Sequence, residues 1–272
     1  MKKIFKTLLV AGIGLIINIP FLIMINSSLS TYEALLKWPI EWFTQPLQWS
    51  NFTEIILGHK NITAPLLNSF IVSLVTMFIC TIIAILAAYA TVRYKYIGKR
   101  LFLFLVLMMQ MFSPVLISGP LYVIFSYLGI LDTRLSLIIA NIAASLPMTI
   151  WLLYSYFKMV PIHLEEAARL EGCSRLQAIT HIIIPIAFPG IVTAGIFAFI
   201  SAWGDLIFAR MSILSAENYT LSLALLKFEE IYETRWELQL AASTLSVVPI
   251  FILFLFIQNK LGHGLMQTGS KE

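Results

Sequence analysis

PIHLEEAARLEGCSRLQAITHIIIPIAFPG, residues 161–190, is a charged and turn-rich interruption between two long apolar segments of the chain. Five charged side chains crowd into its first half: Glu165, Glu166, Arg169, Glu171 and Arg175. A largely apolar run follows them at once. We call residues 161–190 the charged island. Such a pattern is typical of a surface segment between two membrane-spanning helices.

The charged island carries the sequence signals of two short helices joined by a turn. Pro161 suits the first turn of a helix, and Glu165 and Glu166 suit the positive end of its dipole. Gly172 suits the left-handed conformation that closes a helix, and Ser174 suits the cap of the next one. One face of the first helix would carry Leu164, Ala167, Ala168 and Glu171. We expect a helix–turn–helix on the cytoplasmic surface.

The composition indicates a membrane protein. Of 272 residues, 59% are hydrophobic and 12% are charged, against about 25% charged in an average soluble domain. A spanning helix needs about 20 mostly apolar residues, and the apolar runs predict six spans, at about 5–26, 66–92, 101–118, 135–157, 183–208 and 239–259. The predicted fold class is therefore all-α, a polytopic membrane protein with six transmembrane helices in a single domain over residues 1–272.

Prolines predict where two of these spans are interrupted. Pro114 and Pro120 predict that the third span ends around residue 118, with a short interfacial stretch at 121–128. Pro185 and Pro189 are expected to redirect the chain from the charged island into the fifth span.

The distribution of positive charge predicts the orientation of the spans. Twelve of the 18 Lys and Arg residues fall in the two termini, the 93–100 loop and the charged island with its flank, and six fall in the other loops. The positive-inside rule therefore places both termini and the charged island in the cytoplasm. The stretch from Leu8 to Ile25 is long for a signal peptide core, and no small-x-small cleavage site clearly follows it, so an uncleaved first span is preferred over a cleaved signal.

No catalytic constellation is present in the sequence. It contains no G-x-x-x-x-G-K-[ST] phosphate loop, no H-E-x-x-H pair and no G-x-S-x-G elbow. The four histidines are scattered, and Cys80 and Cys173 lack metal-type spacing. The chain is therefore expected not to be an enzyme but to transport, conduct, anchor or assemble.

Residues 166–185, EAARLEGCSRLQAITHIIIP, fit the spacing E-A-A-x3-G-x9-I-x-L-P, with Ile184 where the pattern has Leu. This is the signature of permease subunits of binding-protein-dependent ABC importers, which the chain resembles. Other stretches are similar to the second, MalG-type permease of carbohydrate importers: Asn68-Ser69, AYATVRYKYIGKR (88–100), PLYVIFSYLGILDTRLSLI (120–138), LPMTIWLLYSYFKMVP (146–161) and FISAWGDLIFA (199–209).

The resemblance implies that the charged island contains a cytoplasmic coupling helix, which sits in a cleft of an ATP-hydrolysing partner. The residues implied to bind that ATPase are Glu165, Glu166, Ala167, Ala168, Arg169 and Gly172. Glu166 would be the polar contact, the two alanines the close-packing surface and Gly172 the turn. The implied partners are an ABC ATPase dimer, a second permease subunit in a heterodimer, an extracytoplasmic solute-binding protein and membrane lipid, with no nucleic acid. The chain itself would bind no cofactor, because ATP and Mg lie on the ATPase.

Polar side chains within apolar runs are the candidates for a solute path. Asp205 is the one carboxylate inside a predicted span, where a charge costs on the order of 3 kcal/mol unless it faces a cavity or a partner. An interfacial or inter-subunit hydrogen bond is the alternative for it. Ser201, four residues earlier, and Trp203, which could stack on a sugar ring, are further candidates, although anchoring at the membrane interface is preferred for Trp203. The remaining candidates, which would equally suit contacts with neighbouring helices, are Asn141, Gln110, Ser113 and Asn68. A stripe of small residues predicts a close helix-packing face, for which the partner permease is a candidate neighbour: Gly190, Ala194, Ala198 and Ala202.

The leading interpretation is a permease subunit of a sugar-type ABC importer in a bacterial cell membrane. An ABC permease for another solute, such as an amino acid or a polyamine, is the first alternative. A stand-alone secondary transporter or channel is the second, and it predicts inverted repeats or paired intramembrane charges that the sequence lacks.

Overall fold

The structure, a computed structural model, describes residues 2–38, 46–58, 61–231 and 235–266. Within these ranges the chain forms helices and no strand, which confirms the all-α prediction. The α-helices are α1 (Lys2–Ser28), α2 (Tyr32–Leu36), α3 (Ser50–Leu57), α4 (Thr63–Arg93), α5 (Lys99–Met109), α6 (Pro114–Tyr127), α7 (Arg134–Met159), α8 (Ile162–Leu170), α9 (Arg175–Ala178), α10 (Ile184–Trp203), α11 (Ile207–Ser212), α12 (Leu221–Ile231) and α13 (Trp236–Met266).

The chain divides into two compact units. The first comprises residues 1–66 and 224–250, and the second comprises residues 67–223 and 251–272. That the whole chain acts as a single domain stays a prediction.

In the first unit, a buried asparagine ties α3 to the end of α1. The Asn51 amide donates hydrogen bonds to the carbonyl oxygens of Ser28 at 2.9 Å and Ser30 at 3.0 Å. Thr31 caps α2 by accepting a hydrogen bond from the amide of Ala34. Helix α3 is therefore held against the end of α1.

Five helical stretches in the described ranges are long and apolar enough to cross a membrane: Leu9–Ser28, Thr63–Arg93, Arg134–Met159, Arg175–Trp203 and Trp236–Leu255. They overlap five of the six predicted spans. The predicted sixth, at 101–118, corresponds to α5 and α6, which are bent by 99° at the break between them. The total reaches six if this bent pair counts as one span.

The prediction that the third span continues to about residue 118 is wrong. Helix α5 ends at Met109, and α6 starts afresh at Pro114 and continues through Pro120 to Tyr127. A residue before proline is driven out of the helical conformation, and Ser113 is extended with ψ 137° and caps α6. The interfacial stretch expected at 121–128 is for the most part the second half of α6.

The prediction that Pro185 and Pro189 redirect the chain is also wrong. Helix α9, a π-helical turn at Ile179–Ile183 and α10 follow one another without a break up to Trp203. Proline within a helix clashes with the carbonyl four residues earlier. The wider π turn lies directly before Pro185, where it relieves that crowding while the helix continues.

The core of the second unit lies among α4, α5, α7 and α10. Its buried members include Ala84, Ala88, Val106, Ile150, Leu153, Phe157, Ile183, Ala187 and Ala194. Helix α7 packs against both α5 and α10, and α6 packs against α11.

The small-residue stripe of α10 is buried in this chain. Ala194, Ala198 and Ala202 are at most 5% exposed, and Gly190 lies against the ring of Tyr156 on α7. The predicted close-packing face is present, and it packs inside this chain. A partner permease is not needed to cover it.

Gly190→Ala is expected to destabilise the protein by about 1–3 kcal/mol, because the new methyl group would overlap Cγ of the Tyr156 ring. Thermal unfolding of the purified protein in detergent, followed by circular dichroism, measures the change. Gly119→Ala in α6 is the matched control, since nothing lies within 4 Å of its new Cβ, and alanine favours a helix by up to about 1 kcal/mol. Equal melting temperatures for the two variants would contradict the packing argument.

Candidate functional site

Helix α8 is a nine-residue helix whose end is closed by its own backbone. Gly172 is left-handed with φ 94°, and its amide donates to the Arg169 carbonyl at 3.1 Å. The Cys173 amide donates to the Ala168 carbonyl at 3.0 Å. These two bonds form a Schellman motif, in which glycine supplies the left-handed residue. The structure thus agrees with the expectation that Gly172 closes the helix.

The turn after α8 leads directly into the next helix. The Ser174 hydroxyl accepts a hydrogen bond from the Gln177 amide, and the Gln177 side chain accepts one from the Ser174 amide. This reciprocal pair is a capping box. The predicted second helix therefore exists, but it continues through the π turn into α10 and is not a separate surface helix.

Glu165 points inward from α8, towards the second unit's own helices. Its Oε1 accepts a hydrogen bond from the Tyr89 hydroxyl at 2.6 Å, and its Oε2 lies 2.9 Å from Nε of Arg93. Arg93 also donates from Nη2 to the Val160 carbonyl at 3.1 Å. We call Tyr89, Arg93, Val160 and Glu165 the Glu165 clamp. The sequence prediction placed Glu165 on a partner-facing surface, and the structure gives it these internal contacts instead.

The outer face of α8, defined as Leu164, Glu166, Ala167 and Leu170, is exposed. Leu170 is 90% exposed, which makes it an apolar projection. Arg169 and Gly172 are exposed beside this face, whereas Ala168 is 5% exposed and packs inward. Of the residues implied to contact a partner, Glu166, Ala167, Arg169 and Gly172 are therefore accessible.

A recess of about 210 Å³ separates α8 from the end of α4. It is lined by Tyr89, Arg93, Tyr94, Ile162, Glu165, Glu166, Arg169 and Arg175. The Arg175 guanidinium lies 5.1 Å from the centroid of the Tyr94 ring and donates to its hydroxyl. Arginine over an aromatic face is a stabilising arrangement, so Arg175 ties the start of α9 to the chain beyond α4.

At the opposite end of α7 and α10, Asp205 lies just past the end of its helix. The helix stops at Trp203, so Asp205 lies beyond it and the prediction that the span continues to residue 208 is wrong. Its Oδ1 accepts from the Phe208 amide at 3.1 Å, and its Oδ2 accepts from the Asn141 side chain at 3.2 Å. Burial raises the pKa of the Asp205 carboxyl, and these hydrogen bonds oppose the rise.

Two other path candidates, Asn68 and Trp203, contact different parts of the chain. The buried Asn68 amide donates to the carbonyl oxygens of Glu217 at 2.8 Å and Tyr219 at 2.9 Å. Trp203 is buried and stacked on Phe199, with ring centroids 5.7 Å apart. Both side chains are thus committed to this chain's own packing.

The remaining candidates lie at the surface of the chain. Ser201 and Gln110 are exposed, as is Ser113, which caps α6. Their polar atoms are accessible from outside the chain.

The sequence interpretation missed Asp132, which organises the loop end of the second unit. Asp132 has a positive φ of 57°, and its Oδ1 accepts from the amides of Leu214 at 2.9 Å and Ser215 at 3.0 Å. Hydrogen bonds from the side chain and backbone of Ser215 lower the pKa of the Asp132 carboxyl. The local signal was an aspartate before the helix cap Thr133, at a position where aspartate tolerates the left-handed conformation.

The fold and this geometry define an all-α, multi-pass membrane component that presents a short capped helix at one end of its long helices. Within the described ranges, no group of three His, Cys, Asp or Glu side chains is placed to hold a metal ion. Residues 80–267 match the family described as "Binding-protein-dependent transport system inner membrane component". The chain belongs to that family.

Individual relatives extend the similarity over most of the chain. The trehalose transport system permease protein SugB of Mycobacterium tuberculosis is 33% identical over 225 residues, which cover 82% of each chain. The trehalose/maltose transport system permease protein MalG of Thermococcus litoralis is 29% identical over 96% of this chain and 95% of that one. A chain of a bacterial ABC transporter involved in alginate import has the same fold, with a TM-score of 0.80, 21% identity, and coverage of 94% and 95%.

Asp205→Asn is expected to change how stability depends on pH. Because burial raises the pKa of Asp205 above its ordinary 3.8, the folded protein binds this proton more tightly than the unfolded chain. The free energy of unfolding therefore falls as pH rises through the window above 3.8. The melting temperature of the wild type relative to the variant should rise as pH falls from about 7 to about 4.

Asp132→Asn is the control for this titration. The pKa of Asp132 is lowered below 3.8, so its contribution to stability is lost only as pH falls further, through that lowered pKa. Its difference from the wild type should stay constant over the same range. A constant difference for Asp205→Asn as well would contradict the role of burial.

Proposed function

We propose that this chain is the permease subunit of an ABC importer that moves a sugar or oligosaccharide into the cytoplasm. ATP hydrolysis on a partner subunit would drive transport, so this chain would carry neither ATP nor Mg and would not be an enzyme. The observation that carries the proposal is the capped, outward-facing α8, which bears the E-A-A-x3-G signature in a chain of this family. The relatives named for trehalose and maltose transport support a sugar as the solute.

The outer face of α8 is the surface to which the ATPase would bind. The exposed Glu166 carboxylate offers a charge-assisted contact, and the small side chain of Ala167 lets another surface come close. Leu170 is the apolar projection that a cleft would bury. Gly172 fixes the length of the helix, because its left-handed backbone turns the chain back towards α9.

The same proposal fixes the orientation and the partners. Because of the positive-inside bias, α8 and both termini would lie in the cytoplasm of a bacterial cell, with the loops around Asp132 and Asp205 outside. A solute-binding protein would then dock on the outer loops, and a second permease would complete the membrane pathway. Within this chain, the exposed Ser201 and Gln110 are the candidates to line that pathway.

Cross-linking tests the ATPase contact directly. Leu170→Cys should cross-link to the co-expressed ATPase subunit in membranes, because this side chain is 90% exposed on the outer face of α8. The matched control is Ala168→Cys, whose position is 5% exposed on the inward side. Both variants are made with Cys173→Ser, while the buried Cys80 is kept. Equal cross-linking at 168 and 170, or none at 170, would contradict the proposed docking face.

Gly172→Asp should leave membrane insertion intact and abolish solute uptake. A side chain at φ 94° strains the turn, and a carboxylate beside the C-terminal end of α8 faces the negative end of the helix dipole. Radiolabelled trehalose or maltose uptake in cells that express the whole transporter measures the effect. Gly98→Asp is the control, because it also has φ 94° but lies in the 93–100 loop. Normal uptake by Gly172→Asp would contradict the assignment of α8 and its turn as the contact with the ATPase.

A further inference from the structure

The Glu165 clamp joins three helices at the α8 end of the second unit. Tyr89 and Arg93 belong to the last turns of α4, Val160 follows α7, and Glu165 belongs to α8. Arg93 contacts the other two elements at once, through its Nε to Glu165 and its Nη2 to the Val160 carbonyl. One buried side chain therefore connects the surface helix to the ends of both long helices.

Burial makes this connection stiff. The side chains of Arg93 and Glu165 are 9% and 11% exposed, so water does not screen the pair as it does at a surface. A carboxylate in such surroundings requires its partners, because an unpaired buried charge is strongly unfavourable. The Tyr89 hydroxyl, at 2.6 Å, donates a hydrogen bond to the other oxygen of the same carboxylate. Displacing α8 from α4 would therefore expose the charges of Arg93 and Glu165 to water or leave each without its partner.

The neighbouring glutamate has the opposite environment. Glu166 is exposed, although it lies one residue further along the same helix. Successive residues of an α-helix point about 100° apart, so one carboxylate faces the membrane helices and the next faces outward. The two adjacent glutamates therefore have separable roles.

We propose that Glu165 is a positioning residue that locks α8 to α4 and α7, so that a movement of α8 carries both helices with it. This inference rests on the proposed function, because it assigns the route by which the ATPase would move the membrane helices. The clamp differs from the capping of α8, since Gly172 and Ser174 close and restart the helix without attaching it to α4. A helix that is capped but unclamped would still bind the ATPase and would transmit little of its movement.

The test uses the complete transporter in proteoliposomes, with Glu165→Gln compared with Glu166→Gln. Glu165→Gln removes the inward charge and should leave recovery of the ATPase with the complex within about two-fold of wild type. ATP hydrolysis should continue, while uptake per ATP hydrolysed should fall about ten-fold, inside the 5- to 150-fold range of typical coupling. Glu166→Gln should instead lower the recovery of the ATPase, with uptake per ATP unchanged in the complexes that remain.

Two further variants keep the test decisive if Glu165→Gln fails to fold. Tyr89→Phe removes one hydrogen bond and keeps the ion pair, so it should lower uptake per ATP by about two- to three-fold. The exchange of Arg93→Glu with Glu165→Arg restores the pair and should recover part of the uptake that Arg93→Glu alone loses.

The outcomes separate the two proposals. If the wild-type chain recovers no ATPase, the proposed function fails, whatever the clamp does. If the wild-type complex transports but Glu165→Gln couples uptake to hydrolysis normally, the clamp inference is overturned. Loss of the ATPase from Glu165→Gln to the same extent as from Glu166→Gln would overturn it as well, because Glu165 would then act in docking.

Discussion

The close contact of α7 with α10 is the constraint on which the second unit depends. In a membrane, lipid is as apolar as the helices themselves, so association relies on close packing of small residues and not on the removal of apolar surface from water. Gly190 lets α10 approach the Tyr156 ring of α7, and the alanines that follow it along the same face are buried. Helix α8 connects these two helices through short turns, so their separation fixes where α8 can lie.

The same contact explains why α8 is presented on the surface. Helix α7 ends at Met159 and α8 begins at Ile162, while α9 begins at Arg175. A nine-residue helix rises about 14 Å, and Gly172 turns the chain back to meet α9. Because the connections before and after α8 are short, the helix has little freedom to move. The Glu165 clamp holds its first half and the Schellman turn closes its end.

The features that the sequence predicted correctly are local ones. Long apolar runs indicated five of the spans, and Gly172 and Ser174 were expected to close α8 and to cap α9. Prolines were less informative, because their effect depends on what surrounds them. Pro114 starts a new helix after a sharp bend, whereas Pro185 sits in a helix that a π turn widens just before it.

The inward role of Glu165 was beyond sequence reasoning. Its hydrogen-bond partner Tyr89 is 76 residues away along the chain, and helical spacing alone does not say which of two adjacent glutamates faces the core. The same limit applies to Asn68, whose carbonyl partners at Glu217 and Tyr219 lie about 150 residues further on. Nothing in the sequence indicated that a polar side chain in an apolar run, such as Asn68, would donate hydrogen bonds to a loop of the same chain.

Internal hydrogen bonds of this kind reduce the number of candidate side chains whose donors are available to a solute. Asn68 and Asn141 direct their amide donors to carbonyls and to Asp205, and the Trp203 ring is stacked on Phe199. A hydrogen bond already made inside the protein must be broken before the same donor can bind a sugar hydroxyl, which offsets most of the gain. Of the seven path candidates, only Ser201, Gln110 and Ser113 are exposed. If these candidates bind a polyhydroxylated solute, the contacts would therefore fall first to the exposed side chains, which need not give up an internal hydrogen bond between helices.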